Sequence, residues 1–184
     1  MSTDDDLEIV GFDRTSTGVT QIDRWTGVAA ATLRGESISR GRLDVIFVDD
    51  AEMAELNLTH MGHEGPTDVL SFPLDGEESG ALDEPDDIFA NLPDAAADGE
   101  VFDGGDDPPL HLGDLVICPN VAERQAPTHA GSIDAEMTLL IIHGTLHILG
   151  HDHADQPETD VMQGRERVHM KAAGFEHPRW AGCR

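Results

Sequence analysis

His143-Gly-Thr-Leu-His147-Ile-Leu-Gly150-His151-Asp152-His153 decides how this 184-residue chain must fold, because the string works only on a rigid support. Residues 133–149 are apolar on nearly all sides, through Met137, Leu139, Leu140, Ile141, Ile142, Leu146, Ile148 and Leu149. All-round hydrophobicity predicts a buried central helix. Two histidines four apart share one face of it, with Cβ atoms about 5–6 Å apart. Both imidazoles then reach one ion. Gly150 can take a left-handed conformation, ending the helix and folding the chain back. The returning chain offers His153, six residues after His147. Three neutral nitrogens leave a fourth position open, as in catalytic rather than structural zinc sites. His143, His147 and His153 are therefore the candidate metal ligands for one ion. Zinc suits them; nickel, copper and iron also accept imidazole, so other divalent transition metals stay open.

Around this helix the pattern is mixed. Leu7 to Phe12, Leu43 to Val48, Val69 to Phe72 and Leu112 to Cys118 read as strands, rich in β-branched and aromatic residues. Helical spacing runs from about residue 20 to 34, through Ile22, Trp25, Val28 and Leu33. Asp49 and Asp50 are placed to cap a helix reaching about His60. Pro119 starts another near Val121, and Glu158 to Ala173 reads as the last, ended by Gly174. The expectation is an α+β (mixed α/β) fold: a small mixed sheet of about four strands packed with about five helices. One domain is expected over residues 1–184.

The spacing H-x-x-x-H-x-x-G-x-x-H is also that of the metzincin peptidases, which carry Glu after the first His as general base. Here that residue is Gly144, which weakens a peptidase reading and leaves the metal reading intact. The full string closely resembles the signature of the YbeY family of bacterial rRNA maturation factors, typically H-G-x-L-H-L-x-G-Y-D-H. Leu56-Asn57 followed by Pro66-Thr67-Asp68-Val69-Leu70-Ser71-Phe72-Pro73 resembles the family's L-N…T-D-V-L-S-F-P block. Leu112-Gly113-Asp114-Leu115-Val116-Ile117 resembles its L-G-D strand, and Met162 also matches. Two positions depart. His151 stands where the family usually has Tyr, and Met61 where most members carry Arg.

The resemblance implies a zinc-dependent, single-strand-specific endoribonuclease of late small-subunit ribosome maturation, processing the 3′ end of 16S rRNA. It implies single-stranded rRNA and the small ribosomal subunit as partners; no nucleotide cofactor is expected, and no membrane either, since no run approaches the ~20 apolar residues that a span needs. His143, His147 and His153 would act through the metal, and His151 and Asp152 are further catalytic candidates beside them. Asp114 is open to two readings, orienting a ligand histidine or satisfying a turn. Asp68 and Ser71 lie on a strand that the family places near the site. His60, His63, His111 and His129 read as incidental. Two alternatives stay open: an assembly factor with a weakly active or non-catalytic metal site, which Met61 favours, and a metallohydrolase of another substrate.

Composition does not itself point to RNA. There are 37 acids, 23 of them Asp, against ten Arg and the single Lys171, giving a net charge of −26. Such a surface repels a polyanion at ordinary ionic strength. In molar salt the Debye length falls to ~3 Å and the repulsion is screened. Abundant Asp with almost no Lys resembles proteins of organisms that accumulate salt. Residues 75–107 hold thirteen acids and no Lys or Arg, half of the net charge. This stretch reads as a long acidic surface loop inserted at about 75–110. Two cysteines, Cys118 and Cys183, and an acidic start without a signal segment give a cytoplasmic expectation with reduced thiols; a bridge between them stays open.

Overall fold

The computed structural model describes residues 6–19, 21–74 and 110–178. The acidic stretch 75–107 and Cys183 lie outside them. Four strands are described: β1 (Asp6–Asp13), β2 (Arg40–Phe47), β3 (Val69–Pro73) and β4 (His111–Ile117). They form one sheet in the order β1-β2-β4-β3. β1 runs parallel to β2 and β2 to β4, whereas β3 is antiparallel to β4. Five helices accompany them: α1 (Ile22–Gly35), α2 (Asp50–Met61), α3 (Pro119–Gln125), α4 (Ile133–Ile148) and α5 (Gln156–Ala172). This is the α+β arrangement that the periodicity predicts, with most element ends shifted by a residue or two and β2 beginning at Arg40 rather than Leu43. No helix among the described residues is long and apolar enough to cross a membrane.

Successive strand side chains point to opposite faces. Leu43, Val45 and Phe47 of β2 and Leu115 and Ile117 of β4 therefore share one face, where they pack fully buried against Trp25, Ala29 and Leu33 of α1 and Met137, Leu140 and Ile141 of α4. The other side of α4 presents Leu139, Ile142 and Leu146 to Met162 and Met170 of α5. So α4 is enclosed by the sheet, α1, α3 and α5. Ser132 caps it, accepting from the Ala135 amide at 3.2 Å. The buried Glu136 carboxylate ties down the approaching loop by accepting from His129 Nδ1 (2.8 Å) and the Ala130 amide (3.1 Å).

Asp49 does not cap α2 as expected. It occupies the cap position, but its carboxylate accepts instead from the Ser16 amide at 2.8 Å, and Asp50 accepts from Arg124 and the Cys118 thiol. These long-range ties win over the local cap bond. Burial pushes the Cys118 thiol up to about 11, so it stays protonated at neutral pH.

Gly144 controls how near α4 comes to the sheet. A Cβ there would run into Leu115, with the Ser71 hydroxyl at 3.0 Å and Val69 at 3.2 Å. Ser71 also donates to the Gly144 carbonyl at 3.2 Å. Mid-helix glycine costs roughly 0.5–1 kcal/mol relative to alanine, and here contact with the sheet offsets that cost. Gly144→Ala is therefore expected to lower unfolding free energy by about 1–2 kcal/mol, since overpacking outweighs the gain in propensity. Urea unfolding checks this; a neutral or stabilising substitution would mean that the contact is slack.

Candidate metal centre

α4 brings His143 and His147 to one face, one turn apart, at the end where its burial stops. Gly150 then adopts φ +82°. Its amide donates to the His147 carbonyl (2.9 Å) and the His151 amide to the Leu146 carbonyl (3.0 Å). This bond pair is the glycine-terminated Schellman ending, and it reverses the chain. The returning loop is held at each step. Asp152 accepts from the His153 amide at 2.7 Å, Thr159 donates to the His153 carbonyl at 3.2 Å, and Asp155 caps α5 by accepting from the Glu158 amide at 2.9 Å.

The three imidazoles converge. His143 Nε2 and His147 Nε2 lie 3.1 Å apart, and one ring nitrogen from each of His143, His147 and His153 falls within 4.8 Å of the others. Ring centroids stand 4.6, 5.7 and 5.1 Å apart for the pairs 143–147, 143–153 and 147–153. Zinc–nitrogen bonds of about 2.0–2.1 Å in a tetrahedron separate their nitrogens by roughly 3.4 Å, so the His143–His147 pair needs only to open slightly to share one such ion. Burial, then the neighbouring His143 and His153, push His147 down to about 4, keeping it neutral, the form that ligates.

Behind His143 stands Glu166 of α5, a residue that sequence reasoning missed. Its carboxylate accepts from His143 Nδ1 at 2.7 Å and from His177 Nε2 at 2.7 Å. Burial alone would raise this carboxyl, but the two histidines hold it down at about 2. A proton on Nδ1 leaves Nε2 with its lone pair toward the common point, the tautomer that a metal needs. The signal was in the sequence: Met162, Glu166, His169 and Met170 are all buried at helical spacing, and a charge on that stripe must have a partner.

The remaining candidates separate. His151 Nε2 points toward Glu36, 3.9 Å away, where Glu36 also binds His169 (2.6 Å) and Arg165 (2.8 Å). Asp152 secures the turn through the His153 amide. Ser71 braces α4 next to His143, while Asp68 accepts from the Val69 amide at 2.9 Å. Asn57 donates to the Gly65 carbonyl at 2.8 Å and fixes the loop after α2, giving the Leu56-Asn57 pair a structural job. Met61 ends α2 with its side chain in solvent. Asp114 does not reach the three histidines; its contact is His111, and His129 is the partner of Glu136. Neither histidine is incidental. Beside the histidine loop lie depressions of about 530 Å³, lined by Glu36, Arg165 and His169, and about 260 Å³, lined by Gly150, His151 and Asp152.

Against known proteins, residues 14–174 match the family model described as Endoribonuclease YbeY. The chain is 38% identical over 143 residues to a Mycobacterium leprae protein named Endoribonuclease YbeY, covering 74% of this chain and 70% of that one. It is 44% identical over 120 residues to the Frankia casuarinae protein of the same name, covering 65% of this chain and 51% of that one, so it spans about half of that relative's length. A Salinispora tropica protein so named is 45% identical over 120 residues, covering 65% and 66%. A Thermotoga maritima protein solved in solution shares the fold, with a TM-score of 0.51 at 21% identity over 90% of this chain and 87% of its own.

Two expectations follow from the geometry. Glu166→Gln keeps the shape but removes the charge behind His143. It is expected to weaken metal affinity about 10–100-fold, read by competition with a chelator; unchanged affinity would show that the carboxylate does not support the ligand. In the metal-free protein, His147 is protonated at about 4 when folded and near 6.5 when unfolded. The unfolded chain thus binds more protons in that window, and the contribution of His147 to stability is lost as pH falls through it. Wild type should therefore lose stability relative to His147→Gln as pH falls from 7 to 4; a difference independent of pH would contradict the depressed value.

Proposed function

The chain belongs to the YbeY endoribonuclease family, and from that premise we propose that it is a metal-dependent endoribonuclease that cuts single-stranded RNA during late small-subunit ribosome maturation, at the 3′ end of 16S rRNA. The observation that carries the reading is the convergence of His143, His147 and His153 at the end of a buried helix, with no fourth protein ligand among the described residues. Zn²⁺ is the proposed ion, held by these three side chains. When bound, it supplies a Lewis acid to a phosphodiester. Glu166 fixes the tautomer of His143, and the turn made by Asp152 presents His153. His151 and Asp152 line the depression beside the loop, where a nucleotide would approach.

Gly144 has no carboxylate and no room for one, so the general base of metallopeptidases is missing from α4. That supports RNA over peptide as substrate, because RNA carries its own nucleophile in the 2′-OH. Cleavage by the 2′-OH leaves a cyclic phosphate and cleavage by water does not, so analysis of product ends separates them.

The proposed setting is the cytoplasm of a salt-accumulating cell, with one catalytic domain over residues 1–184 and an acidic loop at about 75–110. Its support is the charge of −26 with a single lysine. Repulsion from RNA then relaxes only at high ionic strength. A second reading, an assembly factor with weak or no catalysis, is favoured by one observation: exposed Met61 supplies no cation at the end of α2.

The deciding experiment incubates a short 16S 3′-precursor RNA with zinc-loaded protein and its His147→Ala variant, from 0.1 M to 3 M KCl. Cleavage by the wild type alone, rising with salt, is expected. No cleavage by either, with folding and zinc content verified, would turn the reading to the assembly factor. Cleavage fastest at low salt would remove the salt-adapted setting.

A further inference from the structure

A second group of ligating side chains lies on the other face of the sheet. Arg42 and Asp44 of β2 share that face by alternation, and Asp114 of β4 stands beside Asp44 in register. His111 ought not to join them, since residues three apart in a strand point to opposite faces. A register shift changes the parity: Arg42 pairs with His111 but Leu43 with Gly113, so Leu112 is an extra residue. Bulges of this kind re-aim side chains and recur next to active sites. Gly113 makes the bulge possible, with φ +146° and no room for a Cβ against the Phe72 carbonyl and Ile148.

The bulge brings His111 Nε2 to 3.4 Å from Asp114 Oδ1 and 3.9 Å from Asp44 Oδ2. Asp114 is 5% exposed and Asp44 6%. Arg42 binds both oxygens of Asp44, at 2.8 and 3.1 Å. Asp114 Oδ1 and His111 Nε2 are each buried without any hydrogen bond. Two polar atoms facing each other unbonded are unusual inside a protein. A protonated His111 would balance the charge, yet it makes no hydrogen bond to Asp114. A cation between the donors satisfies both atoms at once. The side chain of His111 is 35% exposed, which gives a hydrated ion a way in.

We propose that Asp44, His111 and Asp114 form a second divalent-cation site, separate from the three histidines, for a first-row transition ion. One imidazole with two carboxylates selects against Mg²⁺ and Ca²⁺, which prefer oxygen alone, and suits Mn²⁺ or Zn²⁺. Asp44 Oδ2 keeps a lone pair for the ion while Arg42 remains bound.

The test is equilibrium dialysis of the full chain against Zn²⁺ and, separately, Mn²⁺ in 1 M KCl, where diffuse accumulation of ions on an acidic surface is screened. Wild type should bind two equivalents of Zn²⁺, His111→Ala one, His147→Ala one, and the double variant none. Should His111→Ala not fold, ¹⁵N shifts of the wild-type imidazoles replace it: His111 Nε2 must move as the second equivalent is added. One equivalent in wild type, abolished by His147→Ala, would overturn this site and leave the first intact. Two equivalents in His111→Ala, or a His111 signal that does not move, would overturn it too. Two equivalents in His147→Ala would count against the three-histidine site alone.

Discussion

The close approach of α4 to β3 and β4 at Gly144 is the constraint on which the site depends. Because that contact is made by a glycine, the helix lies against Leu115 and Ser71 with no side chain between. One residue before it is His143, and three after it is His147. The depth at which the sheet holds the helix therefore also sets the height at which both imidazoles emerge. A larger residue at 144 would move the helix and both nitrogens with it. The same glycine removes the general base of the metallopeptidase pattern, so packing and chemistry are decided at one position.

Buried carboxylates form a second theme. With eleven Lys and Arg against 37 acids, this chain has few cations to spare for its interior. Histidine takes the role. Glu136 is held by His129, Glu36 by His169, and Glu166 by both His143 and His177. Glu136 and Glu166 are almost wholly buried, and removing one partner of such a group leaves a charge that water cannot reach. Each histidine does this through one ring nitrogen of a flat ring that packs among apolar neighbours. At the metal centre the arrangement has a further effect, since the charge that stabilises the core also orients a ligand.

Much of this was legible in the sequence, for identifiable reasons. The helix of residues 133–149 announced itself by hydrophobicity too continuous for a surface element, and Gly150 by its place after the last apolar turn. His143, His147 and His153 follow from helical spacing plus one reversal, both local rules. Glu166 was not found because its partner is twenty-three positions away, and nothing local records which buried residue answers a charge. Asp49 illustrates the opposite failure. The local cap rule was sound, but the Ser16 amide competed for the same carboxylate.

His111 shows where parity reasoning stops. In a regular strand it would point away from Asp114, and a histidine read in isolation has no evident purpose. One extra residue at Leu112 reverses that, and only pairing with β2 reveals it. The glycine next to it carried a hint, because Gly inside a strand pattern marks a bulge or a close backbone approach; Gly113 does both. Taken with Gly144 and Gly150, three glycines set the positions of the chemistry here: one admits the helix to the sheet, one turns the chain toward His153, and one turns His111 toward two acids. The side chains supply donors, but the residues without side chains decide which donors meet.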